Sequence, residues 1–214
     1  MFKTSITPEE IAPMPLAEFP GKIFLVDTLG VKFNRAIRYL RRQKVIGFDT
    51  ETRPSFSAGQ PHHSTALLQL SGGNKAFLFR TCRIGMPGKL RGILSNPDVI
   101  KVGAAVADDI HGLQKLGPFS PESFVDLQRM VSDWGITDKS VKKMSAIILG
   151  VRISKTQQLS NWEAENLSEA QKKYAATDAW ICREMYLKLM ASEKHPLTPE
   201  ELCPPQPHTE DKHE

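Results

Sequence analysis

Val45-Ile46-Gly47-Phe48-Asp49-Thr50-Glu51 is the stretch on which the reading of this chain turns. β-Branched and aromatic residues lead in as they do in a buried strand, yet the run closes on two carboxylates. Side chains alternate faces along a strand, so Asp49 and Glu51 point the same way, roughly 7 Å apart at about 3.3 Å rise per residue. Two like charges at the end of a core strand lose hydration and repel each other. A divalent cation between them answers both costs. An exposed edge strand carrying ordinary solubilising acids is the competing reading of the same seven residues.

Upstream, Ile23-Phe24-Leu25-Val26 reads as a short strand, and apolar residues at Val31, Phe33, Ile37 and Leu40 predict a helix over 30–40. Downstream, Pro54, Gly59 and Pro61 mark 52–64 as a loop. Residues 66–70 and 75–79 are strands around Ser71-Gly72-Gly73-Asn74, a hairpin signal, so the first three core strands read as an antiparallel meander. The rhythm then changes. Helix 87–94, strand 99–103, helix 109–116 and strand 124–127 are followed by helices at 127–134, 139–149 and 169–191. Strands alternating with helices imply right-handed crossovers and parallel pairing. The fold class is therefore α/β, with a mixed five- or six-stranded sheet, meander first and parallel units after, flanked by helices. Residues 1–21 read as an N-terminal arm, 22–192 as the domain, and 193–214 as a polar, disordered tail.

Composition removes several classes of function. No run of about 18 apolar residues exists, so no membrane span is expected. The first ten residues lack the apolar block of a signal peptide. Cys82, Cys182 and Cys203 form no CxxC pair, which points away from zinc and disulfide frameworks and towards a reducing, cytoplasmic setting. The net charge of +4 permits a polyanionic partner without demanding one. Basic clusters at Arg41-Arg42-Gln43-Lys44, Lys142-Lys143 and Lys172-Lys173 read first as solvated helix faces.

Further acids stand where ligand sites form. Asp108-Asp109 follows strand 99–103, beyond a strand's carboxyl end. Asp109 shares a helical face with Leu113 and Leu116 and so turns inward, whereas Asp108 fits an N-cap. Capping alone is the plainer account of both. The last helix opens on the capping box Ser168-Glu169-Ala170-Gln171. Tyr174 and Asp178 lie four apart on the face that Ile181 and Met185 continue, hence the buried face, where a carboxylate needs a partner. A core tyrosine with a satisfied hydroxyl is the alternative for Tyr174. Four carboxylates without cysteine or a histidine set favour hard cations, Mg²⁺ or Mn²⁺, and such sites suit two-metal phosphoryl transfer. Tyr174 would orient the attacking water; its reference pKa near 10 makes general-base work less attractive.

Asp49-Thr50-Glu51, Asp109 and Tyr174-Ala175-Ala176-Thr177-Asp178 resemble motifs I, II and III of the DEDD 3′–5′ exonuclease superfamily, in its tyrosine-containing DEDDy branch. The similarity is to ribonuclease D and to the exonuclease domain of the Werner-syndrome helicase, and Leu159-Ser160-Asn161-Trp162 with Leu167-Ser168 strengthens the second. It spans about residues 22–191. The resemblance implies a ribonuclease H-like fold and a metal-dependent enzyme that acts on the 3′ end of DNA or RNA and releases nucleoside 5′-monophosphates. It implies two divalent cations, Mg²⁺ or Mn²⁺. Asp49 would bridge them, Glu51 and Asp178 would hold the ion carrying the nucleophilic water, and Asp109 would act mainly on the second ion. The family's Asp-x-x-x-Leu pattern also selects Asp109, through Leu113.

Softer candidates surround this set. Lys155, Gln157 and Gln158 lie in a polar segment suited to phosphate contacts. Trp162 is either a base-stacking ring or a helix-packing one. His62 and His63 border the cleft or lie in a plain surface loop. Asp126 reads as a structural acid at a sheet end. A catalytically lapsed nucleic-acid-binding or scaffold protein and an unrelated small-phosphate metalloenzyme are the rival functions; the presence of all four acids counts against the first. The residues point to no particular protein partner.

Overall fold

The structure is a computed structural model and describes residues 1–55 and 63–198. A short helix α1 (Pro8–Ile11) precedes β1 (Lys22–Val26), α2 (Val31–Leu40), β2 (Val45–Thr52), β3 (Thr65–Ser71) and β4 (Lys75–Phe79). Then come α3 (Thr81–Ile84), α4 (Gly88–Leu94), β5 (Ile100–Gly103), α5 (Val106–Leu116), β6 (Phe124–Asp126), α6 (Leu127–Met130), a 3₁₀ turn over Val131–Trp134, α7 (Val141–Leu149) and α8 (Glu169–Met190). The six strands form one mixed sheet in the order β1-β4-β3-β2-β5-β6. β2, β3 and β4 are the expected antiparallel meander, and β5 and β6 add in parallel beside β2. β1 inserts parallel to β4 at the far edge, a long-range pairing that no local pattern announces.

The strand period of two sorts the sheet into two faces. Ile46, Phe48, Leu68, Leu70, Phe77 and Phe79 meet α2, α4 and α5. On the other face Ala66, Leu67, Ala76 and Leu78 meet α8 through Ala175 and Ala176. At Gly47 that second contact is backbone to backbone: a Cβ there would lie 1.7 Å from the Ala179 carbonyl oxygen. Its missing side chain lets α8 press directly on β2, which brings Asp178 to the acids of that strand. The capping box at Ser168 and Gln171 starts α8 as its sequence predicts.

Two expectations need correction. α5 begins at Val106 rather than 109, behind an N-cap at Ala105 whose φ is +56°. Asp108 therefore lies in the first turn and is not the cap. The Ala105 N–H is met instead by Asp126 Oδ1 at 3.0 Å, which also accepts from Gln128 N–H at 2.9 Å, so Asp126 is the structural acid of the sheet end. The N-terminal arm packs on the domain: Ile6 and Ile11 are buried against Ala146, and Leu16 bridges to Arg152. Of the C-terminal tail, residues 193–198 are described and Lys194 pairs with Asp133 at 2.8 Å, whereas 199–214 lie outside the described residues. No helix among the described residues is long and apolar enough to cross a membrane.

Candidate active site

β2 and α8 bring Asp49, Glu51 and Asp178 together, with a carboxylate oxygen of each within 4.8 Å of the others. β2 delivers its two acids on the α8 face, and the ladder with β3 shifts register between Glu51 and Thr52, so Glu51 is the last residue in regular pairing. Asp109 stands outside this triad. It comes from α5 on the opposite face and accepts a short hydrogen bond from the Thr50 hydroxyl, which points away from Asp49 and Glu51. The four acids thus meet around the end of one strand from both faces of the sheet.

Electrostatics mark the cluster as incomplete without positive charge. Burial, then Asp178 and Asp109, holds the Asp49 carboxyl well above the usual range. Burial, then Asp49, Asp178 and Asp109, pushes Glu51 up to about 10. Asp109 rises to about 6 through burial, against the opposing Thr50 hydrogen bond. Asp178 rises to about 6 through burial, moderated by hydrogen bonding from Tyr174 and by the Lys155 charge. Hard oxygen donors at this spacing, with no soft ligand among them, fit a divalent cation such as Mg²⁺ or Mn²⁺.

Tyr174 lies one turn before Asp178 on α8, its hydroxyl in the electrostatic field of that carboxylate. Burial and the surrounding acids push the phenol far above its ordinary value, so it keeps its proton. Trp162 is fully buried, its ring tilted 35° against Tyr174 at 6.0 Å between centroids. That corrects the stacking expectation: a ring sealed in the core cannot take a base, and Trp162 instead backs the tyrosine. Lys155 is exposed and acts on Asp178 through its charge. Gln157 lines a cleft of about 120 Å³ beside Tyr174, its Oε1 accepting from the Ser160 hydroxyl at 2.7 Å. The wall opposite comes from Ala17 and Glu18 of the N-terminal segment, which the Phe19 N–H ties to Thr177 Oγ1 at 3.0 Å. His63 Nδ1 lies 3.2 Å from Glu163, and His62 lies outside the described residues.

Two residues escaped the sequence reading. Thr50 sits inside the motif but on the unexamined face. Gln69 stands opposite Asp49 in the β2–β3 register, fully buried, with neither amide atom hydrogen-bonded among the described residues. A glutamine in an apolar strand was the only available signal, and it gains meaning once the register is known.

An acid-bearing central strand, a helix carrying Tyr174 and Asp178 across it, and this sheet topology define a ribonuclease H-like fold. Residues 30–192 match the model of the 3′-5′ exonuclease family, and the chain belongs to that family. It is 35% identical over 150 residues to exonuclease 3′-5′ domain-containing protein 2 of Drosophila melanogaster, covering 68% of this chain and 25% of the relative. It is 26% identical over 196 residues to the mouse bifunctional 3′-5′ exonuclease/ATP-dependent helicase WRN, covering 82% of this chain and 13% of that protein. The crystal structure of Escherichia coli RNase D superposes with a TM-score of 0.70 at 23% identity, over 79% of this chain and 44% of that one. The chain thus spans a quarter or less of these two curated relatives' length.

Proposed function

We propose that this chain hydrolyses phosphodiester bonds stepwise from the 3′ end of a nucleic acid strand and releases nucleoside 5′-monophosphates. The observation that carries the reading is the Asp49–Glu51–Asp178 triad, with Tyr174 one turn before its helix-borne member. Asp49, Glu51 and Asp178 would hold divalent cations, with Asp109 as the fourth acid. Two bound cations supply an activated water and charge stabilisation on the attacking and leaving oxygens. Tyr174 keeps its proton and serves as a hydrogen-bond donor that orients the attacking water, not as a base. Lys155, whose charge acts on Asp178, and Gln157, which lines the cleft beside Tyr174, would meet phosphate oxygens and so contribute affinity rather than sequence preference. The free thiols Cys82 and Cys182 suit a reducing compartment, which supports a cytoplasmic setting.

The test incubates 3′-labelled and 5′-labelled oligonucleotides with Mg²⁺ or Mn²⁺, and with EDTA. Stepwise shortening from the 3′ end, abolished by EDTA, is expected. Internal cuts, or intact oligonucleotide with either metal, would sink the reading; binding without shortening would instead favour a non-catalytic scaffold.

A further inference from the structure

Between Asp27 and Asp49 the chain carries six basic residues (Lys32, Arg35, Arg38, Arg41, Arg42, Lys44) and no acid. Folding concentrates them around α2, on the sheet face opposite Asp49 and Asp178. Arg35, Arg38, Arg41 and Arg42 join Lys89 of α4 around a groove of about 870 Å³. All five are exposed, and among the described residues none forms an ion pair. Lys3, Arg83, Lys173 and Lys194, elsewhere on the surface, each meet a carboxylate. An ordinary solvated face intersperses both signs; this one holds uncompensated like charges at helical spacing, which repel until an anion arrives.

The other flank of α2 differs in chemistry. There a groove of about 450 Å³ is lined by the half-buried rings of Phe24 and Tyr39 together with Lys32, Lys75 and the shared Arg35. Aromatic faces beside an arginine row are what unpaired bases and their phosphates require together. The placement also suits this enzyme. β1 runs parallel to β2 through their antiparallel neighbours, so α2 starts at the sheet end where the carboxylates lie and extends about 15 Å away from it.

We propose that the paired grooves along α2 form a second nucleic-acid site. It takes a single-stranded segment of the polynucleotide whose 3′ end enters the active site, with phosphates on Arg35, Arg38 and Arg42 and bases in the Phe24–Tyr39 groove. This rests on the exonuclease reading above, and the test separates the two. Binding of the full chain to a 5′-fluorescein single-stranded oligonucleotide is measured by anisotropy in EDTA over a salt series. The triple variant Arg35→Gln, Arg38→Gln, Arg42→Gln should bind at least 10-fold more weakly. Its slope of log K against log salt should fall by about 2, at roughly 0.7 per single-strand phosphate contact. A charge-matched control, Lys115→Gln, Lys139→Gln, Lys142→Gln, should bind like the unmodified chain, and circular dichroism should show all three folded. Inorganic polyphosphate, which lacks bases, should compete at least 10-fold less well than the oligonucleotide. Equal losses in the two triples, unchanged binding in the first, or polyphosphate or poly-aspartate competing as well as the oligonucleotide would overturn the site. Groove-dependent binding by a chain that shortens no 3′ end would uphold the site and reject the exonuclease reading.

Discussion

The Thr50 hydroxyl donates a hydrogen bond to Asp109 from the face of β2 opposite Asp49 and Glu51. One strand residue thereby anchors the fourth acid, and its neighbours on either side supply two of the other three. Thr50→Val keeps the β-branched shape and removes the donor. The bond opposes the rise of the Asp109 pKa, so its loss should raise that pKa further. Turnover should fall about 10-fold, the scale of one hydrogen bond to a charged group, and the acidic limb of the pH–rate profile should move to higher pH. Steady-state kinetics against pH reads both.

Asp49 is buried beside Asp178 and Asp109, and burial and their charges both disfavour its ionised form. Asp49→Asn should abolish exonuclease activity. It should also raise the melting temperature without metal, because it removes a buried charge and its repulsion. The increase in melting temperature that Mn²⁺ gives the unmodified chain should disappear. A variant that is less stable without metal would refute the electrostatic account.

The same cluster sets a pH dependence. Burial and the neighbouring acids push Glu51 up to about 10, and burial lifts Asp109 and Asp178 to about 6, from ordinary values of 4.5 and 3.8. Over this window the folded chain holds protons that the unfolded chain has released. The contribution of these groups to stability is therefore present at pH 4 and is lost as pH rises through 6 towards 10. A cation competes with those protons, so stabilisation by Mn²⁺ should be small at pH 5.5 and large at pH 8. Thermal unfolding at both pH values, with metal and with EDTA, checks the sign.

Gln69→Leu separates folding from function. The glutamine is fully buried opposite Asp49, and among the described residues both its amide atoms lack a partner, so an apolar replacement of similar size should stabilise the fold by about 1–2 kcal/mol. If the amide steadies Asp49 during turnover, kcat should fall while KM holds. Urea unfolding and kinetics on the same variant measure the two effects, and an unchanged kcat would leave Gln69 without a catalytic part.

Gly47→Ala tests the contact that positions Asp178. A Cβ 1.7 Å from the Ala179 oxygen cannot be accommodated without moving α8 off β2. Destabilisation of about 3 kcal/mol or more is expected, at the upper end of overpacking effects, and should be seen as a lower urea midpoint.

Much of this site was readable along the chain because its signals are local. The alternation of a strand put Asp49 and Glu51 on one face, and the 3.6-residue period of a helix put Tyr174 and Asp178 on another. The same period chose Asp109 over Asp108 even though the helix start was misplaced by three residues, because periodicity survives an error in a boundary whereas a cap assignment does not. Other features depend on which distant segments touch. The pairing of β1 with β4, the register that sets Gln69 against Asp49, the burial of Trp162 behind Tyr174 and the packing of the N-terminal segment beside the cleft all join residues far apart in sequence. The sequence by itself determined which acids share a face, since the periods of a strand and of a helix are fixed by local backbone geometry. Only the tertiary structure decided that three of them converge within 4.8 Å while Thr50 holds the fourth apart, because that depends on how closely α8 and α5 pack against the two faces of β2.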